Sequence, residues 1–386
     1  MRVLIIGGGI GGLAAAAALR RAGIEADVYE RAPALREVGA GIGLMANGVR
    51  ALDRIGLGDA VRSKCLARVQ GVLRNWKGAT LVAALAGELA KRFDGLALVH
   101  RADLLAALAS AVDPARLHPD RECLGFEQDE RGVTAHFRSG EAAHGDVLIG
   151  ADGLRSAVRA QLFGNLPPRY AGYTAWRAAV PFTHSRLLWG ESWGRGRRFG
   201  IFPMTEGRIY WFATANALEA ERDQDGSAKT HLLELFRGWH EPIEALIEVT
   251  EAPSILRNDI YDLDPLAAWG RGRVTLLGDA AHPMTPNLGQ GACQALEDAV
   301  VLAVCLKKSA DVASGLADYQ RRRIPRVRAV VLQSRQIGQA AQWEHPVLCW
   351  LRDAATRATP GSLAARSMES VSGREILTAD EAALLG

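Results

Sequence analysis

Three acidic side chains stand at the ends of short, largely apolar runs, two of them beside glycines. Asp279 follows the run 274–277 and Gly278, Asp152 follows 146–149 and Gly150-Ala151, and Glu30 closes the run 26–29. Apolar runs of this length read as buried strands, so each acid is set at a strand end as an acceptor for ligand hydroxyls. Beyond Asp279 come Pro283 and Pro286. Gly289-Gln290-Gly291 then opens an apolar segment spaced like a helix: Ala292, Ala295, Leu296, Ala299, Val300 and Ala303. The free amides and positive end of such a helix suit an electron-poor, anion-forming ligand. The glycines let backbone approach it. Taken alone, the stretch reads first as an ordinary strand–loop–helix, and other parts of the chain reverse that preference.

The N-terminus carries a second arrangement of this kind. Residues 3–6 read as a strand and 13–21 as a helix, joined by Gly7-Gly8-Gly9-Ile10-Gly11-Gly12. In G-x-G-x-x-G, Gly7 makes the turn, Gly9 admits a pyrophosphate and Gly12 lets helix and strand pack closely. Glu30 lies about twenty residues on, where an acid bonds a ribose hydroxyl. The motif indicates a dinucleotide but does not decide between NAD and FAD. Gly150-Ala151-Asp152-Gly153 is a further strand-to-helix turn, with Asp152 as a helix cap, a ligand acceptor, or both. Gly39-Ala40-Gly41-Ile42-Gly43 and Asn47 form either a flexible connection or backbone passing beside a bulky ring system, ahead of a helix over 48–55. Asp103 reads as the cap of a helix beginning near Arg101.

The rest of the chain must position these groups. At 386 residues, 48% hydrophobic and 23% charged, it can bury a full core and divides into interleaved domains. A net charge of +3 argues against a nucleic-acid partner. The one dense basic run, Arg321-Arg322-Arg323, reads as a solvated helix face. Five scattered cysteines without CxxC spacing suggest neither disulfides nor a metal site, and a cytoplasmic setting fits. Residues 3–19 imitate a signal peptide in lacking charge, but their glycine pattern is that of a folded turn. No stretch approaches membrane-spanning length. Oligomeric state is not legible.

Between 170 and 212 the aromatic content rises, with Trp176, Trp211, Tyr173, Tyr210, Phe199, Phe202 and Phe212 among others. Alternation over 198–202 and 208–213 predicts antiparallel strands. An aromatic sheet face is either core or the wall of a pocket for a flat substrate. Residues 230–249 read as a helix, 313–343 as a long helical tail with a kink at Pro325, and the last thirty residues are uninformative.

Three motifs in order, GGGIGG at 7–12, GADGLRSAVR at 150–159 and GDAAHPMTPNLGQGACQALEDA at 278–299, make the chain resemble the class A FAD-dependent aromatic hydroxylases, a family of single-component flavoprotein monooxygenases. The resemblance implies an α/β fold: a Rossmann-like FAD-binding domain (1–70, 96–165 and 265–312), an inserted mixed-sheet substrate domain (71–95 and 166–264) and a C-terminal helical region (313–386). It implies FAD as cofactor, NADH or NADPH as electron donor without a second glycine motif, and O2 and a small aromatic as substrates. Hydroxylation would proceed through a flavin C4a-hydroperoxide. By the same resemblance Gly11, Glu30 and Arg31 hold the ADP half, while Gly43, Arg101, Cys123 and Asp152 attend the FAD. Asp279 bonds the ribityl chain, Gly289, Gln290, Gly291, Ala292 and Cys293 lie against the flavin pyrimidine, and Pro286 faces the substrate. Within the family the chain is similar to bacterial urate hydroxylases through 169–173, 196–198, 207–210 and 289–299. This points to urate 5-hydroxylation in purine catabolism, with Arg198 binding the anion and Tyr210 orienting the ring. Ala175-Trp176-Arg177 departs from that group, and Arg177 could instead seat the carboxylate of a salicylate or hydroxybenzoate. A flavin-binding reductase without oxygen insertion and an NAD-dependent dehydrogenase are the remaining alternatives.

Overall fold

Val3, Leu4, Ile5 and Ile6 are buried on every side, as suits a strand at the centre of a parallel sheet. The computed structural model describes residues 1–35, 41–66, 71–82, 97–183, 189–223, 228–360, 363, 366, 369–373 and 375–386. Gly39 and Ala40 of the glycine-rich connection, and residues 83–95 of the expected substrate region, lie outside them.

Arg2–Ile6 pairs in parallel with Val147–Gly150 on one side and Glu25–Tyr29 on the other. Val274–Leu276, Gly270–Arg271 and Leu117–His118 complete a six-stranded sheet. Two helices are stacked at this sheet. Ile10–Arg21 is lined by Ala14, Ala15, Ala16, Ala17 and Ala18, all buried. Gly291–Lys308 is buried from Cys293 to Leu306. A Cβ on Gly11 would stand 2.8 Å from Leu277 Cδ2 and 3.5 Å from Ala295 Cβ, so small residues set the closeness of this packing. A three-stranded antiparallel sheet flanks the fold. The ladder of Gly41–Leu44 with Ala97–His100 lies apart from it.

The second large sheet has seven strands, centred on Arg169–Pro181, Arg208–Asn216 and Arg197–Pro203. All its pairs are antiparallel except Gly190–Trp193 with Val72–Asn75. Side chains alternate between its faces. Trp176, Phe199, Ile201 and Trp211 pack against Leu232, Phe236, Ile243, Leu246 and Ile247 of two short helices. Arg177, Arg198, Phe202, Tyr210 and Phe212 belong to the opposite face. The aromatic run therefore supplies both a core and a wall. The fold is α/β, with a Rossmann-like sheet, an inserted mixed sheet and C-terminal helices.

Several sequence expectations are corrected. Residues 230–249 form two helices, Ala228–Leu235 and Ile243–Val249, because the Gly238 and Pro242 region interrupts the run. The helix beginning at Arg101 is capped by His100, whose Nδ1 accepts from the Ala102 amide at 3.3 Å. Asp103 lies in the first turn and pairs with Lys64 instead. Gly41–Leu44 is a strand, not a free connection. The first helix starts at Ile10, inside the glycine motif. The long helical tail is borne out as Val312–Ala341, with Pro325 inside it. Arg321-Arg322-Arg323 is not a solvated face: Arg321 is exposed, but Arg323 is 1% exposed and bonded to Glu297 and Asp298. Nor is the tail uninformative, since Glu381 accepts from Arg322 and Lys308.

Candidate active site

The carboxyl ends of three parallel strands bring three turns side by side. Ala151 N donates to Ile6 O at 2.8 Å and Leu277 N to Gly150 O at 2.9 Å, so the turns at Gly7, Ala151 and Gly278 share one edge. Ligands of open α/β sheets bind outside this edge. Gly7 has φ +112° and a Cβ there would overlap Ala151 O, while one at Gly12 would overlap Gly7 O. At Gly9 a Cβ would meet nothing within 4 Å. The motif thus divides: Gly7 and Gly12 are required by the protein itself, whereas Gly9 borders open space. The helix Ile10–Arg21 has no side-chain cap and no acid in its first turn, leaving its amides available.

Glu30 is held in place by backbone. Its Oε2 accepts from Gly8 N at 2.7 Å and its Oε1 from Ala32 N at 2.8 Å, with further lone pairs left for a ligand. Arg31 is exposed beside it. Arg121 N donates to Glu30 O at 2.8 Å, which draws the Cys123–Gln128 strand alongside. Burial pushes the Cys123 thiol up to about 11, so the side chain stays a neutral thiol. Asp152 Oδ2 accepts from Ala157 N at 2.8 Å and Val158 N at 3.2 Å. It closes the helix start together with the cap residue Ser156. Its buried Oδ1 has no protein partner among the described residues.

Asp279 is open to solvent, yet protein encloses it closely enough that desolvation raises its carboxyl, against the pull of His282, Arg101 and Arg159. The carboxylate is thus accessible at the strand ends while protein surrounds it. The Gly278–Asp279 turn is fixed from below: Asp298 Oδ2 accepts from Gly278 N at 3.1 Å and lies 2.6 Å from His282 Nε2. Gly289 is exposed with φ +60°. Gly291–Lys308 also starts without a side-chain cap or an acid in its first turn, and a Cβ on Gly291 would stand 3.9 Å from Asp279 Oδ1. Gln290 is buried and occupied, its Oε1 accepting from Asn47 Nδ2 at 3.0 Å and Gln294 Nε2 at 2.8 Å. Ala292 is half-buried. Burial pushes the Cys293 thiol up to about 12, which keeps it neutral. Gly43 is half-buried on the strand before Met45, whose amide donates to Cys293 Sγ at 3.4 Å. Two uncapped helix starts, open space at Gly9, an unpartnered Asp152 oxygen and a ring of acceptors for hydroxyls fit a flavin dinucleotide.

The aromatic wall meets this groove. Phe202, Tyr210 and Phe212 have ring centroids 6.0–6.4 Å apart, and Tyr210 packs with Leu98 and Met204. A Cβ on Gly41 would stand 2.6 Å from Tyr210 Cγ, so the Gly41–Leu44 strand passes directly against that ring. Pro286 is exposed. The next residue, Asn287, accepts from Arg198 Nη2 at 2.8 Å and from the Tyr173 hydroxyl at 3.2 Å. Arg198 is 3% exposed. It also donates to Gln342 Oε1 at 2.9 Å and to Glu191 Oε1 at 3.2 Å. Burial raises the Tyr210 hydroxyl and Arg177 pulls it down, so Arg177 stands beside it. Sequence reasoning missed Glu191, Asn287 and Gln342. Asn287 sits inside a recognised motif, but Gln342 is 144 residues from its partner Arg198, a proximity no local pattern announces.

Comparison with known proteins agrees with this geometry. Residues 1–334 match the FAD binding domain family. The chain is 45% identical over 356 residues to an aurachin C monooxygenase/isomerase of Stigmatella aurantiaca, covering 92% of this chain and 93% of that one. It is 35% identical over 351 residues to an FAD-dependent urate hydroxylase of Klebsiella pneumoniae, covering 87% and 89%. The structure of Klebsiella pneumoniae HpxO complexed with FAD and uric acid superposes with a TM-score of 0.90 at 32% identity, covering 96% of each chain. With a dinucleotide groove, an aromatic wall above it and this likeness along nearly its whole length, the chain belongs to the FAD binding domain family, among the class A flavoprotein monooxygenases.

Proposed function

We propose that the chain hydroxylates a flat, electron-rich aromatic or heteroaromatic ring, using FAD, NADH or NADPH, and O2. The observation that carries this reading is the uncapped start of Gly291–Lys308 beside Asp279, linked to the aromatic wall by the 41–45 segment, which touches Tyr210 at Gly41 and Cys293 at Met45. When bound, the flavin supplies the electrons and the activated oxygen. The protein's own part is to hold and enclose. Amides at 289–293 and the helix dipole favour negative charge on the ring system laid against them. Asp279 and Glu30 accept from hydroxyls of the cofactor, Arg31 and Arg101 lie along its path, and Gly11 keeps the helices close. Pro286 and Tyr210 face the substrate. The apolar wall keeps water from the reacting atoms. Residues 1–70, 96–165 and 265–312 serve the cofactor, 71–95 and 166–264 the substrate, and 313–386 brace both.

Urate is one candidate, supported by the 35% identical relative. On that reading Arg198 meets the urate anion. Its ion pair with Glu191 stands against the assignment, because that carboxylate already neutralises the guanidinium. A salicylate- or hydroxybenzoate-type ring is the second reading, favoured by the half-buried Arg177. Purified, FAD-loaded protein should oxidise NADH or NADPH faster with the right aromatic present, and that aromatic should be consumed. Oxidation indifferent to every aromatic in a panel of urate, salicylate and hydroxybenzoates would reduce the reading to that of a flavin reductase.

A further inference from the structure

We propose that Arg177, with Tyr210 and Asn258, anchors an oxyanion carried by the aromatic substrate, and that Arg198 is a structural strut. This rests on the chain being an aromatic monooxygenase. The two arginines belong to the same sheet face, Arg177 opposite Phe212 and Arg198 opposite Thr214. Their surroundings differ in charge and in vacancy. All three nitrogens of Arg198 are engaged: Nε by Gln342 and Thr214, Nη1 by Glu191 and Nη2 by Asn287. The guanidinium also lies over the Tyr173 ring at 5.4 Å. Such a group links the sheet to the 285–288 turn and to the end of the long helix. Its charge is answered internally.

Arg177 has the opposite character. Its guanidinium donates a long hydrogen bond, Nη1 to Asn258 Oδ1 at 3.3 Å, and meets the Tyr210 hydroxyl in a second side-chain contact. Among the described residues no carboxylate pairs with it. Asn258 belongs to Leu256–Asp262, the edge strand of the seven-stranded sheet, and is exposed. The anchor is therefore reachable from solvent, one strand in from the edge. The neighbouring surface is flat. Phe212 lies so close over Gly200 that a Cβ there would overlap its ring, and Phe202 and Tyr210 continue the wall. A planar ring stacked on this wall would present an oxygen anion to a guanidinium that no carboxylate neutralises and that keeps further N–H donors, the geometry arginine serves best. Tyr210, kept neutral by burial, adds a hydroxyl donor. The shared chemistry is an aromatic oxyanion, either a carboxylate on the ring or an ionised ring oxygen.

The test is titration of the FAD-loaded protein, followed by perturbation of the flavin absorbance, with salicylate, urate and neutral benzamide. Salicylate and urate distinguish carboxylate from ring oxygen. Arg177→Gln should weaken the responding anion about ten- to a hundredfold, leave any benzamide response unchanged, and retain FAD. Arg177→Lys should recover part of the loss, and Arg198→Lys should bind the anion like the parent. An Arg177→Gln protein that binds the anion undiminished, or an Arg198→Lys protein that loses it, overturns the proposal alone. A parent protein that holds FAD but responds to neither anion overturns the proposal together with the reading beneath it.

Discussion

At the scale of single residues, Gly9 separates ligand from protein most cleanly. Because a Cβ there touches nothing in the chain, Gly9→Ala should melt like the parent when both lack FAD, yet bind FAD at least about tenfold more weakly. Isothermal titration beside thermal melting checks both halves. Gly12→Ala should fail in both, since its Cβ overlaps Gly7 O. Arg198→Ala strips partners from Glu191, Asn287 and Gln342 together. It should cost about 2–4 kcal/mol in urea unfolding. Glu30, Asp152 and Asp279 were legible in the sequence because each sits at the end of an apolar run, a local signal. Arg323 was not. Its partners Glu297 and Asp298 lie 26 and 25 residues away on another helix, so only the packing of the two helices turns an apparently solvated arginine into a buried one.

At the scale of elements, the helix Gly291–Lys308 links the groove to the tail. Arg323 bonds Glu297, Asp298 and Gln294, and Asp298 in turn holds the Gly278 amide and His282. Arg323→Met would leave two buried carboxylates without that cation. It should cost about 3–5 kcal/mol by chemical denaturation and loosen the Asp279 turn. The tail is tied by Glu381. Burial pushes its carboxyl up, but Arg322, the Thr378 amide and Lys308 outweigh this and hold it at about 2, below its ordinary 4.5. A depressed carboxyl contributes stability above its ordinary value and loses it as pH falls toward the folded one. The melting-temperature gap between the parent and Glu381→Gln should therefore be full at pH 7 and close between about pH 5 and 2. Strands and helices with strong periodicity were legible. The split of 230–249 was not, since apolar spacing continues across the break and only the Pro242 region marks it.

At the scale of the whole molecule, one groove is assembled from turns far apart in sequence, at Gly7, Asp152, Asp279 and Gly291. A ligand that ties them together should stabilise the fold as a unit. FAD at about a hundred times its dissociation constant should add ~2.7 kcal/mol, read as a single shifted transition. Three glycine-marked turns in order made the cofactor legible. The substrate was not, because the wall above the groove is set by cross-strand neighbours, and an alternating aromatic pattern is the same for a core and for a chamber. Among the described residues no helix is long and apolar enough to cross a membrane.

The most direct measurement is the mass of the product formed under oxygen-18 gas by FAD-loaded protein, NADH or NADPH, and whichever aromatic speeds nicotinamide oxidation. Oxygen insertion predicts a product heavier by one labelled atom, with that atom on the ring. An unlabelled product, or peroxide released while the aromatic stays intact, would contradict it.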